Sequence, residues 1–340
     1  MENVEEIARL VRAEYGLEPL ALESVGNDPT GERLSYRVKL DDGRILMLRG
    51  CRAASRMPFW YGGGAGEDWL AGRARLLMWL AERSFPAPWV LLARSGKPVV
   101  TSAGYCALLL TYLPGQSLPI DMLHLRRLAS ILGQLHTLAE ASVDLLPASW
   151  WFPLEVVTRP LLAALAAVNA VTPVRWQSLR AAFTATLATA QERSDLPHAA
   201  IHGDGYPANA LLLEDKRVAL IDWDCAGWGP AILDLGTTLL DAHPDGGAGE
   251  RTLVDPAIVK AMVAGYMQVR TPTSAERDYL LDAMRFGVSF LGALRFAWAA
   301  EQGWSEQIER SLMRLQARYH AADEVARAAR ETMKRLDQPR

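Results

Sequence analysis

Apolar and polar side chains alternate along the first third of the chain and recur every three to four residues through most of the remainder. Residues 19–25, 33–40 and 44–48 switch with the period of two that a half-buried strand requires, and Asp41-Asp42-Gly43 supplies a tight hairpin turn between the last two. Residues 4–15 carry an amphipathic helical pattern ahead of them, so a small helix and a curled antiparallel sheet are expected. Residues 107–113, apolar but for Thr111, meet Pro114-Gly115, which reads as a buried strand ending in a turn. Beyond it the period lengthens. Leu125, Leu128, Leu132 and Leu135 mark a helix over 121–140, and further helices are predicted over 174–192, 256–269, 274–302 and 305–336. Thr172-Pro173 reads as a cap followed by a first-turn proline, and Gly303 as a stop between the last two helices. The chain has no internal repeat, low-complexity tract or long linker.

Composition adds limits. With 340 residues, 50% of them hydrophobic, the chain can bury two sizeable cores. The net charge of −3 gives no reason to expect nucleic acid as a partner, and Arg126-Arg127 reads as a solvated helix face. Cys51, Cys106 and Cys225 have neither paired nor metal-ligand spacing, which suits a reducing compartment. The acidic start lacks the apolar core of a secretory signal. The apolar run 161–168 is closed off by Arg159-Pro160 and Asn169, well short of a membrane span. A soluble cytoplasmic protein with no membrane partner is the expectation.

The polar groups that carry chemistry lie between residues 201 and 224. Residues 210–213 read as a short strand, Asp215 and Lys216 as a turn, and 218–221 as the returning strand, so Asn209 and Asp222 flank one end of a hairpin. Asp204 lies five residues before Asn209, in a loop that Gly203, Gly205 and Pro207 keep from becoming helical. The three groups are expected to crowd one spot. Asn209 and Asp222 offer the hard oxygen ligands that Mg²⁺ prefers, and Asp204 is left to accept a hydrogen bond from a substrate hydroxyl. A single Asp or Asn more often satisfies its own loop backbone; three in this order on two adjacent strands argue for a site.

The pattern His202-x-Asp204-x-x-x-x-Asn209, followed by Ile221-Asp222-Trp223, resembles the catalytic and metal-binding loops of the aminoglycoside phosphotransferase and choline kinase-like superfamily. The resemblance implies an α+β, protein kinase-like two-lobed fold. Residues 1–113 would form a small nucleotide-binding lobe with an antiparallel sheet, and residues 114–340 a larger, mostly helical catalytic and substrate-binding lobe. It implies Asp204 as catalytic base, Asn209 and Asp222 as Mg²⁺ ligands, His202 as a structural member of the loop and Asp234 as the residue that steadies it. Thr111, Tyr112 and Leu113 fall where the family's hinge pairs with the adenine edge. His136, near the end of its helix, reads as a packed or capping histidine.

Two positions depart from the family pattern. Its third strand carries a Lys that reaches the phosphates, where this chain has Arg49, and the Glu that holds that Lys aligns with Arg73. Two arginines cannot pair, and Glu67 lies six residues away, off that helical face. Residues 26–31 would cover the phosphates without a crowded glycine pattern, and 52–66, with Gly62-Gly63-Gly64, reads either as a mobile loop beside them or as an insertion without function.

The resemblance further implies ATP or GTP as donor and a small-molecule hydroxyl as acceptor. An antibiotic such as an aminoglycoside or macrolide leads, then a choline-like or other metabolite alcohol; a catalytically impaired nucleotide-binding member is the alternative that Arg49 and Arg73 raise. Asp241, Asp245, Asp282 and Glu301 are acids in the region where aminoglycoside kinases hold cationic sugars, but scattered acids are usually solvated surface. Trp150, Trp151, Trp176, Trp298 and Trp304 offer faces for an alkylammonium or apolar ring, yet tryptophans are more often core.

Overall fold

The computed structural model describes residues 2–25, 33–55, 64–102, 104–138, 153–191 and 193–338. The loop expected at 26–31, Gly62 and Gly63, Trp150, Trp151, and the predicted helix ends at Glu140 and Glu192 lie outside the described residues. The chain separates into two compact units. One is built on Met1–Gln116 and Leu213–Asp224, the other on Ser117–Ala141, Ala148–Leu212 and Cys225–Arg340.

In the first unit, α1 (Glu2–Leu10) continues into a single wider turn, Val11–Tyr15. Strands β1 (Pro19–Ser24), β2 (Arg33–Leu40) and β3 (Ile45–Arg52) follow, then α2 (Gly66–Glu82), β4 (Val90–Leu91), β5 (Val99–Ser102) and β6 (Tyr105–Thr111). The sheet is antiparallel in the order β1-β2-β3-β6-β4, with β5 also on β6. Alternation in β2 sends Leu34, Tyr36, Val38 and Leu40 into a core with Ile7, Leu10, Val11, Leu46, Leu48 and Leu109, and turns Arg33 and Ser35 to the opposite face. The turn at Asp41–Gly43 closes as its residues predict, with Gly43 at φ +84°.

β3 runs four residues past the expected end at Leu48. Its period breaks because α2 covers the second face as well: Gly50 and Cys51 are buried there, and a Cβ on Gly50 would stand 2.7 Å from the Cys106 carbonyl oxygen. Cys51 and Cys106 are direct cross-strand partners, a pairing that linear spacing does not reveal.

The second unit contains α3 (Met122–Thr137), α4 (Leu154–Ala167), α5 (Val174–Thr189), α6 (Ala231–Asp241), α7 (Pro256–Met267), α8 (Ser274–Gln302) and α9 (Glu306–Leu336). Asp121, Asp255, Thr273 and Ser305 cap α3, α7, α8 and α9 by accepting backbone N–H bonds, and α8 starts with a full capping box on Glu276. Gly303, at φ +85°, ends α8.

Pro160 lies inside α4; the carbonyl it leaves unpaired is that of Val156, which is 66% exposed, so water can take the bond. One local expectation is corrected. Thr172 is not the cap of α5: Pro173 holds that position, and the Thr172 hydroxyl donates back to the Val168 carbonyl at 2.7 Å.

Candidate active site

The 202–209 loop hangs from a two-stranded antiparallel ladder, His198–Ile201 against Gly227–Pro230. Gly203 leaves the first strand at φ +75°, where a Cβ would lie 2.5 Å from the Cys225 carbonyl oxygen, so only glycine fits this turn. Pro207–Asn209 makes a short 3₁₀ turn that brings the Asn209 side chain back over the loop. Asn209 Nδ2 donates to Asp204 Oδ2 at 2.8 Å and to the Asp204 carbonyl at 3.0 Å. The amide oxygen therefore faces away from Asp204, and the amide nitrogen fixes the Asp204 carboxylate.

Helix α6 supplies the scaffold. Asp234 and Thr238, four residues apart, share one helical face. Asp234 accepts the peptide N–H of His202 at 2.7 Å and of Gly203 at 3.0 Å, and the Thr238 hydroxyl donates to the Gly205 carbonyl at 3.1 Å. His202 is fully buried. Asp234 is only 1% exposed, and although burial pushes its carboxyl up, His136, His202 and these N–H bonds hold it below the usual range.

A chain of buried hydrogen bonds leads away from Asp234. His136 Nε2 lies 3.1 Å from Asp234 Oδ2, and His136 Nδ1 lies 2.8 Å from the Tyr266 hydroxyl. That hydroxyl accepts from Arg270 Nη1 at 2.9 Å, and Arg270 Nη2 donates to Glu276 Oε1 at 2.8 Å. Glu276 closes the series by accepting the Thr273 N–H in the capping box of α8. Burial pushes the His136 imidazole below its ordinary value despite the pull of Asp234, so it stays neutral. One set of proton positions satisfies every partner: Nε2–H donates to Asp234, Nδ1 accepts from Tyr266, and Tyr266 accepts from Arg270. His136 is thus a packed residue with a definite task.

Asp241 continues the face of α6 that bears Asp234 and Thr238. It lines a small recess with Gly203, Asp204, Gly205, Tyr206, Thr237 and Leu291. Arg318 Nε of α9 lies 2.8 Å from Asp241 Oδ1, yet burial pushes the Asp241 carboxyl above its usual range. Asp245 pairs with Arg314 at 3.1 Å. The solvated-surface reading fails for Asp241 and stands for Asp282 and Glu301, which are exposed. Trp176 is core, Trp304 packs edge-on to Phe296, and Arg295 covers the Trp298 ring at 4.3 Å.

In the first unit, Arg49 on β3 lies opposite Ser35, and its Nη1 donates to Ser35 Oγ at 3.0 Å. Arg49 Nη2 donates to Asp222 Oδ1 at 2.6 Å and also to Asp224. Arg33 Nη1 reaches Asp224 Oδ2 at 3.2 Å, and buried Arg73 Nη1 donates to the Trp223 carbonyl at 3.3 Å. Burial opposes ionisation of Asp224, but the charges of Arg49, Arg33 and Arg73 keep its carboxyl below the usual range. Asp222 sits at φ +61° with its side chain 45% exposed. The carboxylate that steadies Arg49 therefore comes from beyond the 218–220 strand and not from α2, where Glu67 points to solvent.

Arg33 and Asp224 are the residues that sequence reasoning missed. The available signal was a surplus of arginine near the phosphate-binding strand, which demands a counter-charge, and Asp224 standing among the apolar neighbours Trp223, Cys225 and Ala226. At the expected hinge, the Thr111 N–H donates to the Trp89 carbonyl and its Oγ1 accepts from the Trp89 N–H, both at 2.9 Å. Tyr112 and Leu113 are half-buried, and Arg37 lies over the Tyr112 ring at 5.4 Å. Among the described residues no group of three or more His, Cys, Asp or Glu could hold a metal ion, and no helix is long and apolar enough to cross a membrane.

An N-terminal antiparallel sheet with a cationic third strand, followed by a mostly helical part bearing an Asp–Asn loop, is the kinase-like fold. Residues 61–270 match the Phosphotransferase enzyme family, and the chain belongs to it. It is similar to the homoserine kinase of Gluconacetobacter diazotrophicus, 30% identical over 227 residues that make up 64% of this chain and 65% of that protein. The homoserine kinase of Cupriavidus necator is 29% identical over 231 residues, 65% of each chain. The chain thus spans about 65% of the length of these relatives. Among solved structures, an amicoumacin kinase in complex with AMP-PNP and Ca²⁺ aligns with TM-score 0.64 and 13% identity, covering 94% of this chain and 93% of the other. A microcompartment-associated aminopropanol kinase aligns with TM-score 0.64 and 19% identity, covering 95% and 98%. At these identities the structural matches speak to the fold.

Proposed function

We propose that this protein transfers the γ-phosphoryl group of ATP or GTP to a hydroxyl of a small molecule, with residues 1–113 handling the nucleotide and residues 114–340 the acceptor. The observation that carries the reading is the Asp204–Asn209 pair, held from beneath by the Asp234, His136 and Tyr266 series. Such preorganisation is what phosphoryl transfer asks of a protein. Asp204 accepts the proton of the attacking hydroxyl and aims its oxygen. Asp234 and His202 hold the loop that carries it, and Arg49 offsets phosphate charge. The peptide groups of Tyr112 and Leu113 are proposed to meet the base; Thr111 borders them with its own N–H already donated to Trp89.

Asn209 and Asp222 are the proposed Mg²⁺ ligands. Their donor set fits: the Asn209 amide nitrogen is engaged by Asp204, which leaves a hard amide oxygen, and Asp222 offers a half-exposed carboxylate. When bound, the ion would neutralise charge on the phosphates.

For the acceptor, the homoserine kinase relatives and the family's aminopropanol and choline/ethanolamine kinase neighbours favour a small alcohol that also carries an amine. Asp241, half-buried in the recess that Asp204 also lines, supports this as an anionic contact. Homoserine is the first compound to assay, with aminopropanol, choline, spectinomycin and a macrolide as the rest of the panel. Acceptor-dependent release of nucleoside diphosphate that disappears in Asp204→Asn supports the reading. Neither Mg²⁺-dependent nucleotide binding nor release with any acceptor would end it.

A further inference from the structure

From the arrangement of charges in the first unit we infer that Arg33 is a second phosphate-binding residue and that Asp224 positions both Arg33 and Arg49. The inference rests on the proposed nucleotide-dependent function and adds a residue to it. A cavity of about 310 Å³ is lined by Arg33, Ser35, Arg49, Trp69, Asp222 and Asp224, among others. Arg33 and Ser35 alternate onto the same face of β2, and Arg49 stands directly across from Ser35 on β3, so the two guanidinium groups are presented side by side. Each is partly exposed, 29% for Arg33 and 23% for Arg49.

Charge decides what the cavity takes. The guanidinium groups of Arg33 and Arg49 both donate to the carboxylate of buried Asp224, and that of Arg73 donates to the adjacent Trp223 carbonyl; the second carboxylate, Asp222, is the proposed metal ligand. With buried Arg73 behind the lining counted, three guanidinium groups face two carboxylates, a surplus of one cation beside a partly enclosed space where charge interactions are stronger than in bulk water. Two planar forks on adjacent strands match the oxygens of a polyphosphate, which a lysine in either place would meet only as a point charge. Asp224, accepting from both arginines, fixes the spacing of the forks. Ligand affinity should therefore grow with phosphate number.

Calorimetric titration of the full chain with adenosine, AMP, ADP and ATP, without added metal, tests this. Arg33→Gln should weaken ATP binding on the order of 10- to 100-fold, as expected for loss of one or two charge-assisted bonds, and leave adenosine affinity unchanged. Arg33→Lys should recover only part of the loss, and should flatten the salt dependence less than the Gln variant does. Asp224→Asn should also weaken ATP relative to adenosine, with circular dichroism and melting temperature showing a folded protein. ATP affinity within twofold of wild type in Arg33→Gln, or an equal loss for adenosine, overturns the role of Arg33 alone. A wild-type chain that binds neither ATP nor adenosine overturns this role and the proposed function together.

Discussion

Asp234→Asn keeps the volume of the side chain and removes one formal charge, which makes it the sharpest test of the buried series behind the catalytic loop. Asp234 accepts three bonds, from the N–H groups of His202 and Gly203 and from His136 Nε2. An asparagine keeps one acceptor oxygen and presents an NH₂ on the other side. If that NH₂ faces His136, the imidazole must hold its proton on Nδ1, opposite a Tyr266 hydroxyl that already receives Arg270 and then has no acceptor for its own proton. If it takes the Oδ1 place instead, it meets the Gly203 N–H, and two donors face each other. Changing a charged acceptor to a neutral one lowers each remaining bond by about 1 kcal/mol, and one unmatched buried donor costs about 1–3 kcal/mol. Removing a buried charge offsets part of this, leaving roughly 3 kcal/mol. For a unit of about 200 residues that is a drop in melting temperature of roughly 6–12 °C. Scanning calorimetry beside a nucleotide-turnover assay measures both consequences. A variant that melts within about 1 °C of wild type and turns over at wild-type rate would refute the assignment of these proton positions.

Other outcomes follow from the same geometry. Asp204→Asn should lower kcat on the order of 10²- to 10⁴-fold with an unchanged melting temperature, because the side chain is needed for proton acceptance and not for packing; a large fall in stability would count against that division. Gly203→Ala places a Cβ 2.5 Å from the Cys225 carbonyl oxygen at φ +75°, so urea unfolding should register a loss of at least about 2 kcal/mol along with loss of turnover. His243, 3% exposed, has its imidazole pushed by burial to about 4 from an ordinary 6.5. The unfolded chain therefore binds the extra proton first as pH falls. His243 contributes no pH dependence above about 6.5, and its destabilisation grows through the window down to about pH 4, where it reaches about 3 kcal/mol. His243→Gln should flatten the melting profile in that window, and parallel profiles for the two proteins would reject the assignment.

Local pattern reached much of the fold. The alternation of Arg33–Leu40 and the range and glycine stop of Ser274–Gln302 match the observed elements, because each is determined by one buried face and its own end residues. The Asp204–Asn209 contact was legible for a similar reason: it spans five residues. What the sequence hid are partnerships over long separations. Arg33 and Asp224 are 191 residues apart, His136 and Tyr266 are 130 apart, and Cys51 meets Cys106 only through the register of β3 and β6. Position 73 illustrates the consequence. Read along α2 it left Arg49 without a counter-ion, whereas the sheet delivers one from Asp224, a position that a helical wheel cannot see. The helix through Pro160 was not predicted, because tolerance of the proline depends on the Val156 carbonyl reaching solvent.

The hydrogen bonds that run from the 202–203 peptide groups to the first turn of α8 form one unbroken series, in which Asp234 and Glu276 accept from both sides and Arg270 donates to both. Opening any link strands a buried donor on one side and a buried acceptor on the other, so the segments they join should open as one cooperative unit. The amide hydrogens of His202, Gly203 and Thr273 would then share a single slow deuterium-uptake rate. A fray at the start of α8, more than sixty residues downstream in sequence, would silence the loop before the rest of the molecule loosened.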